Sequence, residues 1–413
     1  MEVAMPFLIL FLCMVLSGPQ VAAINEVNLS LEEAVAVAFD HEPGLKLLKE
    51  QRQSARASTL IESAWPAAEA GVSVEGIGFT ELAKQNDPEY SLGLTQPVPF
   101  PGKLSLKSNI GETYEQEASL RLERGKILLA TQVKKAYLKC LLSQQAVYFL
   151  GQSLEILADI QENALARYSL GAVPYSEVLR LKMEMARSQN DLYAARQELA
   201  TDLSRLKLLV GLEEETVIHL TSPLAFQDLP DKPEVLVEKA RLFSPALQLA
   251  RVKKDRSELL IKLALKDRWP DFSLSVFAPS RRWGAAGFSL GVNFPLFSRK
   301  NLKGEKLLAE SEKQKASLGQ KAAERFFESQ KKLALAGIDQ TRQQVKIFEE
   351  SLLEDSKAEL EKALNAYRLG QLDSLHLLDL FQATREMNFE YQRALYFYLC
   401  ALADFYSAGE DYE

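Results

Sequence analysis

Four short segments of the chain alternate apolar and polar residues, and they form two pairs about 200 residues apart. The first pair is 72–75 with 90–95, and the second is 272–276 with 288–294. A period of two predicts β-strands that carry apolar side chains on one face and polar side chains on the other. The pattern therefore predicts two β-hairpins and also predicts the polarity of each of their faces.

Most of the remaining chain predicts long helices. No proline interrupts the stretch from Lys103 to Arg167, which would form a helix roughly 95 Å long. Comparable runs cover 301–367 and 373–406. Apolar residues also recur at intervals of seven, a spacing that fits a coiled coil and equally the core of a helical bundle. These residues are Val178, Met185, Leu192, Leu199 and Leu206.

The two halves of the chain carry the same marks in the same order. A Trp-Pro pair precedes a hairpin at 65–66 and at 269–270, and a Tyr-x-Leu-Gly segment ends a long helix at 168–171 and 367–370. The shared order favours an internal duplication. The predicted boundaries are a signal peptide at 1–23, a first repeat at 24–210 with its hairpin at 68–100, a linker at 211–233, a second repeat at 234–408 with its hairpin at 271–297, and a tail at 409–413.

The start of the chain has the features of a secretory signal. Residues 7–16 form an apolar core, and 21–23 offer small residues for cleavage, so we expect 1–23 to be removed on export. Ser30 and Glu33 then have the spacing of a capping box, which predicts the start of the first helix. After residue 23 no run of about 20 apolar residues follows, so a mature membrane protein would have to cross the bilayer with strands.

Composition and motif content exclude several classes of function. The net charge of −7 disfavours general binding of nucleic acid. His41, His219 and His376 lie far apart in the sequence, so we predict no metal site and no cofactor. Cys140 and Cys400 lie among apolar residues and are predicted to be buried thiols without a disulfide. The sequence has no nucleophile elbow and no phosphate-binding loop, and we expect no enzymatic activity.

The strand faces allow two interpretations. In a soluble sandwich the apolar face would pack on another layer, whereas in an outer-membrane barrel it would face lipid while the polar face lines water. Lipid leaves open strand edges without hydrogen-bond partners, so a sheet in a membrane must close. The smallest common barrels have about eight strands, and this chain has four predicted strands. Strands in lipid would therefore require an oligomer, although the strands do not determine how many copies.

Several segments together resemble one known family. Residues 94–103 read Leu-Thr-Gln-Pro-Val-Pro-Phe-Pro-Gly-Lys, residues 292–297 read Val-Asn-Phe-Pro-Leu-Phe, and both repeats contain a Tyr-x-Leu-Gly segment. With the repeat order, these marks resemble the outer membrane efflux protein family, the TolC-like exit ducts of Gram-negative bacteria. The resemblance extends over 29–408, and the Pro-Phe-Pro-Gly-Lys segment is most similar to the branch that serves heavy-metal efflux pumps.

The resemblance implies a mainly α protein with a small β part. Long coiled-coil-like helical hairpins and four strands per protomer would assemble into a trimer with a 12-stranded outer-membrane β-barrel and a periplasmic α-helical barrel. Such a duct passively conducts substrate for a tripartite efflux system or a type I secretion system. A periplasmic adaptor would connect it to an inner-membrane transporter of the RND or ABC type. The alternative is a soluble periplasmic coiled-coil scaffold, similar to an adaptor.

The resemblance also suggests functional residues. The helix breaks should lie at the periplasmic tips, where an adaptor docks through Tyr168, Leu170, Gly171, Tyr367, Leu369 and Gly370. The turns between strand and helix should involve Pro97, Pro99, Pro101, Gly102 and Pro295.

A closed aperture is expected just beyond the second tip. Family members can carry two aspartates three residues apart there, and the corresponding positions are His376 and Asp379. Asp379 matches and His376 departs from the pattern, although His376 could equally occupy a solvated helix turn. Residues at i and i+3 share one helix face, so copies around a threefold axis would form rings that act on passing ions. Leu372 stands where a basic residue is expected, so the sequence gives little support for the family's gating ion pairs.

Overall fold

The computed structural model describes residues 26–75, 89–228, 233–279, 285–293 and 299–409. The predicted signal peptide and the turn residue Pro295 lie outside the described residues. Within these ranges the helices are α1 (Leu31–His41), α2 (Pro43–Ser63), α3 (Lys103–Ser169), α4 (Tyr175–Val210), α5 (Pro233–Phe243), α6 (Pro245–Lys266), α7 (Arg299–Ile347), a π-helical segment (Phe348–Leu352), α8 (Leu353–Arg368) and α9 (Ser374–Gly409). The strands are β1 (Glu26–Leu29), β2 (Glu69–Glu75), β3 (Glu89–Val98), β4 (Val217–Leu220), β5 (Asp271–Pro279) and β6 (Gly287–Asn293).

The prediction of a mainly helical chain with few strands is confirmed. In each half, two helices precede two strands, and a long helix and a further helix follow them. The long helix of the first half is continuous, whereas that of the second half is interrupted by the π-helical segment. In the described ranges, every helix is too short or too polar to span a membrane.

The four predicted strands form one antiparallel sheet in the order β2-β3-β5-β6. The register places Val72 opposite Leu92 and Leu274 opposite Leu290, so the apolar residues share one face. That face is uncovered in the chain, since Val72 is 70% exposed and Leu290 is 73% exposed. Among the described residues, β2 and β6 each pair with a single strand, so both outer edges of the sheet are open.

The opposite face of the sheet is polar and hydrogen-bonded across the strands. The hydroxyls of Ser73 and Ser91 lie 2.6 Å apart, and those of Thr95 and Ser275 lie 2.9 Å apart. Cross-strand hydroxyl pairs of this kind stabilise a sheet modestly and favour one register. The alternation in the sequence therefore corresponds to two chemically distinct faces.

A second, two-stranded sheet was not predicted from the sequence. β1 pairs with β4 in parallel, with Glu26 opposite Val217. The buried Tyr137 supports this sheet, because its hydroxyl donates to Leu29 O at 2.8 Å and accepts from Ser222 N at 3.1 Å. Strands of four residues are too short to show a reliable alternation of apolar and polar residues. In addition, β1 and β4 lie far apart in the sequence, so their pairing could not be predicted.

The chain divides into two compact units, and each unit takes segments from both halves of the sequence. The tip unit comprises the described residues of Met1–His41, Gln132–Phe226 and Phe348–Tyr396. The sheet unit comprises the described residues of Glu42–Thr131, Gln227–Ile347 and Phe397–Glu413. Cys140 and Cys400 form no disulfide, and Cys140 is buried. Burial raises the pKa of the Cys140 thiol to about 12, so this thiol is unreactive near neutral pH.

Candidate functional site

The turn from β3 into α3 depends on a buried lysine. Lys103 is only 6% exposed, and its Nζ lies 2.9 Å from Asp271 Oδ1 and 3.5 Å from Asp267 Oδ1. Asp271 Oδ1 also accepts from Phe100 N at 2.8 Å. The ring of Phe100 stacks on Trp269 with centroids 5.4 Å apart. These contacts join the strand exit of the first repeat to the strand entry of the second.

The predicted turn residues Pro97, Pro99, Pro101 and Gly102 lie at this junction, between the end of β3 and the start of α3. Gly102 has a φ of +84°, which favours glycine, and a Cβ there would lie 2.2 Å from Lys266 Nζ. That amine donates to Pro101 O at 2.9 Å. The backbone conformation therefore favours glycine at position 102, whereas the amine of Lys266 is the end of a flexible side chain that could move aside.

A buried carboxylate joins the helices below the junction. Glu117 on α3 is 4% exposed and accepts a short hydrogen bond from Arg256 on α6. Lys253 lies 3.6 Å and Arg121 2.5 Å from Glu117 Oε1. Burial alone would raise the pKa of Glu117, but the hydrogen bond from Arg256 and the charges of the three cations lower it below its ordinary value. The guanidinium of Arg256 also lies 4.1 Å from the centre of the Tyr114 ring.

The first helix break is a tight left-handed turn between α3 and α4. Gly171 has a φ of +70°, its N–H donates to Tyr168 O at 2.9 Å, and the N–H of Ala172 donates to Arg167 O at 2.9 Å. This pair of bonds is the Schellman motif, which satisfies the last carbonyls of a helix. A Cβ on Gly171 would meet no atom within 4 Å, so only the backbone conformation requires glycine.

The second break, between α8 and α9, repeats this geometry. Gly370 has a φ of +76°, and its N–H donates to Tyr367 O at 2.9 Å. The N–H of Gln371 donates to Ala366 O at 2.9 Å, and a Cβ on Gly370 would also meet open space. Both predicted breaks are therefore the same motif, with identical hydrogen bonds.

The six predicted docking residues differ in their exposure. Leu170 is 83% exposed and Leu369 is 72% exposed, which leaves an apolar side chain in solvent at each tip. Tyr168 is partly exposed and packs beside Tyr175. Tyr367, by contrast, is 1% exposed and therefore contributes no accessible surface.

Tyr367 instead supports the second tip from inside. Its hydroxyl donates to Glu177 Oε1 at 3.2 Å, and the guanidinium of Arg167 lies 5.4 Å from its ring centre. Burial and the charge of Glu177 raise the pKa of Tyr367 to about 12. The phenol therefore stays protonated near neutral pH and can keep donating this hydrogen bond.

A charged contact joins the two helical hairpins near their tips. Arg368, which follows Tyr367, pairs with Asp159 on α3 through a short hydrogen bond. Leu372 packs against the apolar core of the tip unit. Arg368 lies four residues before Leu372, and sequence spacing alone could not identify its partner 209 residues away.

The two candidate aperture residues lie in the first turns of α9, and both are exposed. Asp373 caps this helix, because it accepts from the backbone N–H of His376 at 2.8 Å and lies 2.9 Å from His376 Nδ1. These hydrogen bonds, first the backbone one and then the one to the ring, lower the pKa of Asp373. The sequence pattern singled out His376 and Asp379 but missed Asp373, which fixes the position of the His376 ring.

Comparison with known proteins finds one family over part of the chain. The sequence profile described as "Outer membrane efflux protein" matches residues 21–212. This part of the chain is therefore similar to the outer membrane efflux protein family. A search of the curated proteins found no match to this chain.

Solved structures share the fold of this chain over nearly its whole length. The outer membrane protein VceC of Vibrio cholerae is 14% identical with a TM-score of 0.75, and the match covers 93% of this chain and 97% of that chain. The open-state outer membrane channel MtrE of Neisseria gonorrhoeae is 16% identical with a TM-score of 0.75, and the match covers 92% of this chain and 89% of that chain. A membrane protein of Pseudomonas aeruginosa is 17% identical with a TM-score of 0.76, and the match covers 92% of this chain and 90% of that chain. At these identities the likeness shows the fold alone.

The fold places the predicted site residues in three locations. The two tips and the aperture residues lie in the tip unit, and the strand–helix turn lies in the sheet unit. Four groups were missed by the sequence pattern, namely the buried Lys103, the Glu117–Arg256 contact, the Arg368–Asp159 pair and the capping residue Asp373. Lys103 was part of a recognised segment, but its partners Asp267 and Asp271 become neighbours only in the fold.

Proposed function

We propose that this chain is one protomer of an outer-membrane exit duct that extends into the periplasm. The duct serves a tripartite efflux system or a type I secretion system and passively conducts substrate. An inner-membrane transporter of the RND or ABC type delivers the substrate through a periplasmic adaptor. In this proposal the chain performs no catalysis and needs no cofactor.

The observation that carries the proposal is the incomplete sheet. Its apolar face is uncovered, and its edges at β2 and β6 lack partners among the described residues. Such a sheet is stable in a bilayer only when further copies close it into a barrel. The apolar face then contacts lipid, and the face with Ser73, Ser91 and Thr95 lines water.

The helices of the sheet unit support closure by copies, because they follow the order of the strands. α2 lies against α3, where a Cβ on Gly111 would come within 2.5 Å of Thr59. α3 contacts α6 through Glu117 and Arg256, and α6 contacts α7 through the Glu258–Lys313 pair at 3.9 Å. In this series of four helices, α2 and α7 are the end members, in line with the outer strands β2 and β6.

Both outer helices present uncovered apolar residues. On α2, Leu60 is 65% and Ile61 75% exposed, and on α7, Leu307 is 65% and Leu308 64% exposed. A head-to-tail contact between copies, with the β6–α7 edge of one against the β2–α2 edge of the next, covers all of these residues. Such contacts form a ring when the rotation closes. The family resemblance sets the number at three copies and therefore twelve strands.

Assembly and conduction test this proposal directly. We expect the protein to remain in the outer-membrane fraction that resists extraction with sarkosyl. After purification from this fraction, its mass by native mass spectrometry should be that of three copies. We also expect it to form pores in planar bilayers. A monomer that fractionates with soluble periplasmic proteins and forms no pores would contradict the proposal and favour the scaffold alternative.

Docking of the adaptor is proposed at the two tips, and the glycines provide a test. We expect the double variant Gly171→Val and Gly370→Val to insert normally but to lose adaptor crosslinking by about tenfold. The reason is that a β-branched residue at positive φ costs roughly 1–2 kcal/mol at each tip, which displaces Leu170 and Leu369.

The matched control is Gly151→Val. Gly151 lies within α3, its φ is not in the left-handed region, and a Cβ there would also meet open space. We expect this control to crosslink like the wild type. Equal crosslinking by the double variant and the control would contradict docking at the tips.

Asp379 is proposed to form a ring of carboxylates at the aperture. We expect Asp379→Ala to raise basal conductance in a planar bilayer or to weaken block by divalent cations by about tenfold, because a ring of three carboxylates binds cations. Glu386→Ala is the control, since Glu386 is exposed on the same helix about two turns further on. Unchanged conductance and block in Asp379→Ala would remove this residue from the aperture.

A further inference from the structure

The polar face of the four-stranded sheet carries one aromatic side chain among the described strand residues. Ser275 lies on this face, and Phe277 lies two residues further along β5, so both side chains point to the same side of the sheet. Every other described residue on this face of the four strands is glycine, serine, threonine, asparagine, aspartate, glutamate or proline. Phe277 therefore interrupts an otherwise polar surface.

The neighbours of Phe277 across the sheet are all glycines. Phe277 lies opposite Gly93 of β3 on one side and opposite Gly287 of β6 on the other. Gly93 in turn lies opposite Gly71 of β2, so one row across the four strands reads Gly-Gly-Phe-Gly. Glycine weakens the interior of a strand, and it often marks a place where a ligand approaches closely. We call these four residues the aromatic row.

The ring of Phe277 lies over Gly287. A Cβ on Gly287 would overlap the Cζ end of the ring, so the ring occupies the space that the missing side chain leaves. An aromatic side chain over a glycine of a neighbouring strand stabilises a sheet, and this effect explains the glycine at position 287. Phe277 is still 38% exposed, so the ring keeps an accessible surface.

The other two glycines of the row are not explained by packing. A Cβ on Gly71 would meet no atom within 4 Å, and a Cβ on Gly93 would lie 3.6 Å from Phe277 Cβ, an ordinary contact distance. Neither glycine has a φ in the left-handed region, so any residue fits the backbone. Neighbouring strands lie about 4.8 Å apart, so these two glycines leave an open strip about 10 Å wide beside Phe277.

In the proposed duct this face lines water, and rotational symmetry places the aromatic rows of all copies at the same level. A barrel of twelve strands lies between eight-stranded barrels, whose interiors side chains fill, and barrels of 16–18 strands, which enclose a wide channel. The side chains of the polar face therefore decide what a passing molecule contacts. At the level of Phe277 the lining consists of aromatic rings separated by bare backbone.

We propose that the aromatic row is a contact site for molecules with a flat aromatic ring that pass through the duct. The proposal rests on the proposed duct function and names a substrate class for it. A flat ring fits on the open strip over Gly71 and Gly93 and meets the Phe277 ring with its face or its edge. Aromatic pairs in these arrangements attract each other beyond the effect of buried area. The contact is weak enough for release, which conduction requires.

Two cations that differ only in aromaticity test the site. Benzyltrimethylammonium and (cyclohexylmethyl)trimethylammonium have the same charge and nearly the same size. In planar bilayers, we expect the aromatic cation to interrupt the current of single wild-type pores about fivefold longer than the saturated one at equal concentration and voltage. Phe277→Leu keeps an apolar side chain and removes the ring, so the ratio of the two interruption times should fall close to one.

Gly93→Val separates binding from stability. Valine favours strands and covers the open strip, so we expect unchanged or higher thermal stability together with a fall in the ratio of interruption times. A purely structural role of the row predicts no change in this ratio. The matched control is Phe288→Leu, because Phe288 adjoins Gly287 on the apolar face and is 76% exposed. We expect this control to keep the ratio of the wild type.

The outcomes separate the contact site from the duct function. If the wild type forms no pores, the duct function fails and the contact site fails with it. If the wild type forms pores and both cations interrupt the current equally long, the duct function stands and the contact site is overturned. A ratio that stays at the wild-type value in Phe277→Leu also overturns the site. If Phe277→Leu does not insert, an unchanged ratio in Gly93→Val overturns the site and a lower ratio supports it.

Discussion

Leu290→Arg is expected to abolish insertion of this protein into the outer membrane. Leu290 lies in the middle of β6 on the uncovered apolar face and is 73% exposed. An arginine on the lipid face of a barrel costs about 2–4 kcal/mol near the bilayer midplane, and every copy in the proposed ring would carry the substitution. In a trimer the cost would therefore be about 6–12 kcal/mol, comparable with the whole stability of an ordinary domain. The measurement is the yield of heat-resistant oligomer in the outer-membrane fraction.

Ser289→Arg is the matched control, because Ser289 is the preceding residue of the same strand and lies on the polar face opposite Ser275. A charged side chain there would project toward water, and we expect insertion and oligomer yield close to the wild type. If both variants insert equally well, the apolar face does not contact lipid. If neither variant inserts, β6 tolerates no large side chain on either face. The assignment of the apolar face to lipid would then lack support.

Glu117→Gln is expected to have the largest effect on stability within the helices. Glu117 is 4% exposed and faces Arg256, Lys253 and Arg121. Removing one partner of a buried ionic group costs about 3–5 kcal/mol, and we expect a value near 3 kcal/mol because Lys253 and Arg121 are partly exposed to solvent. Chemical denaturation at pH 7 measures this loss. Glu112→Gln, on the exposed face of the same helix, is expected to change stability by less than about 0.5 kcal/mol.

The contribution of Glu117 to the stability of the fold also depends on pH. The direction of this dependence follows from the lowered pKa of Glu117. A carboxyl whose pKa is lower in the folded state stabilises the fold above its ordinary value of 4.5. This stabilisation disappears as the pH falls through the lower pKa that the carboxyl has in the folded state. The stability difference between wild type and Glu117→Gln should therefore be full at pH 7 and shrink as the pH falls below 4.5. A difference that stays constant down to acid pH would contradict the role of this charge.

Features that depend on a few neighbouring residues could be predicted from the sequence. The capping box is present, since Ser30 Oγ accepts from Glu33 N at 3.2 Å and Glu33 accepts from Ser30 N at 2.8 Å. The glycines at 171 and 370 have the positive φ expected of helix breaks. Each of these features is decided by backbone sterics or by hydrogen bonds within one turn, so the local sequence contains all the necessary information.

Features that depend on which helix lies beside which could not be predicted. Glu117 has the same kind of neighbours in the sequence as Glu112, yet only Glu117 meets Arg256, which is 139 residues away. Tyr367 belongs to the same segment as the exposed Leu369, but it faces the core and is 1% exposed. Helical spacing indicates that residues share a face without indicating what that face contacts.

The sequence by itself determined the four strands of the larger sheet, the two faces of that sheet, the long helices and the two glycine turns. The reason is that strand and helix periods, caps and left-handed turns arise from interactions between residues close together in the chain. Only the tertiary structure decided the order of the strands, the burial of Lys103 and Glu117, the Arg368–Asp159 contact and the row that places three glycines beside Phe277. These depend on the packing of segments up to about 200 residues apart, where a change in helix rotation gives each side chain different partners.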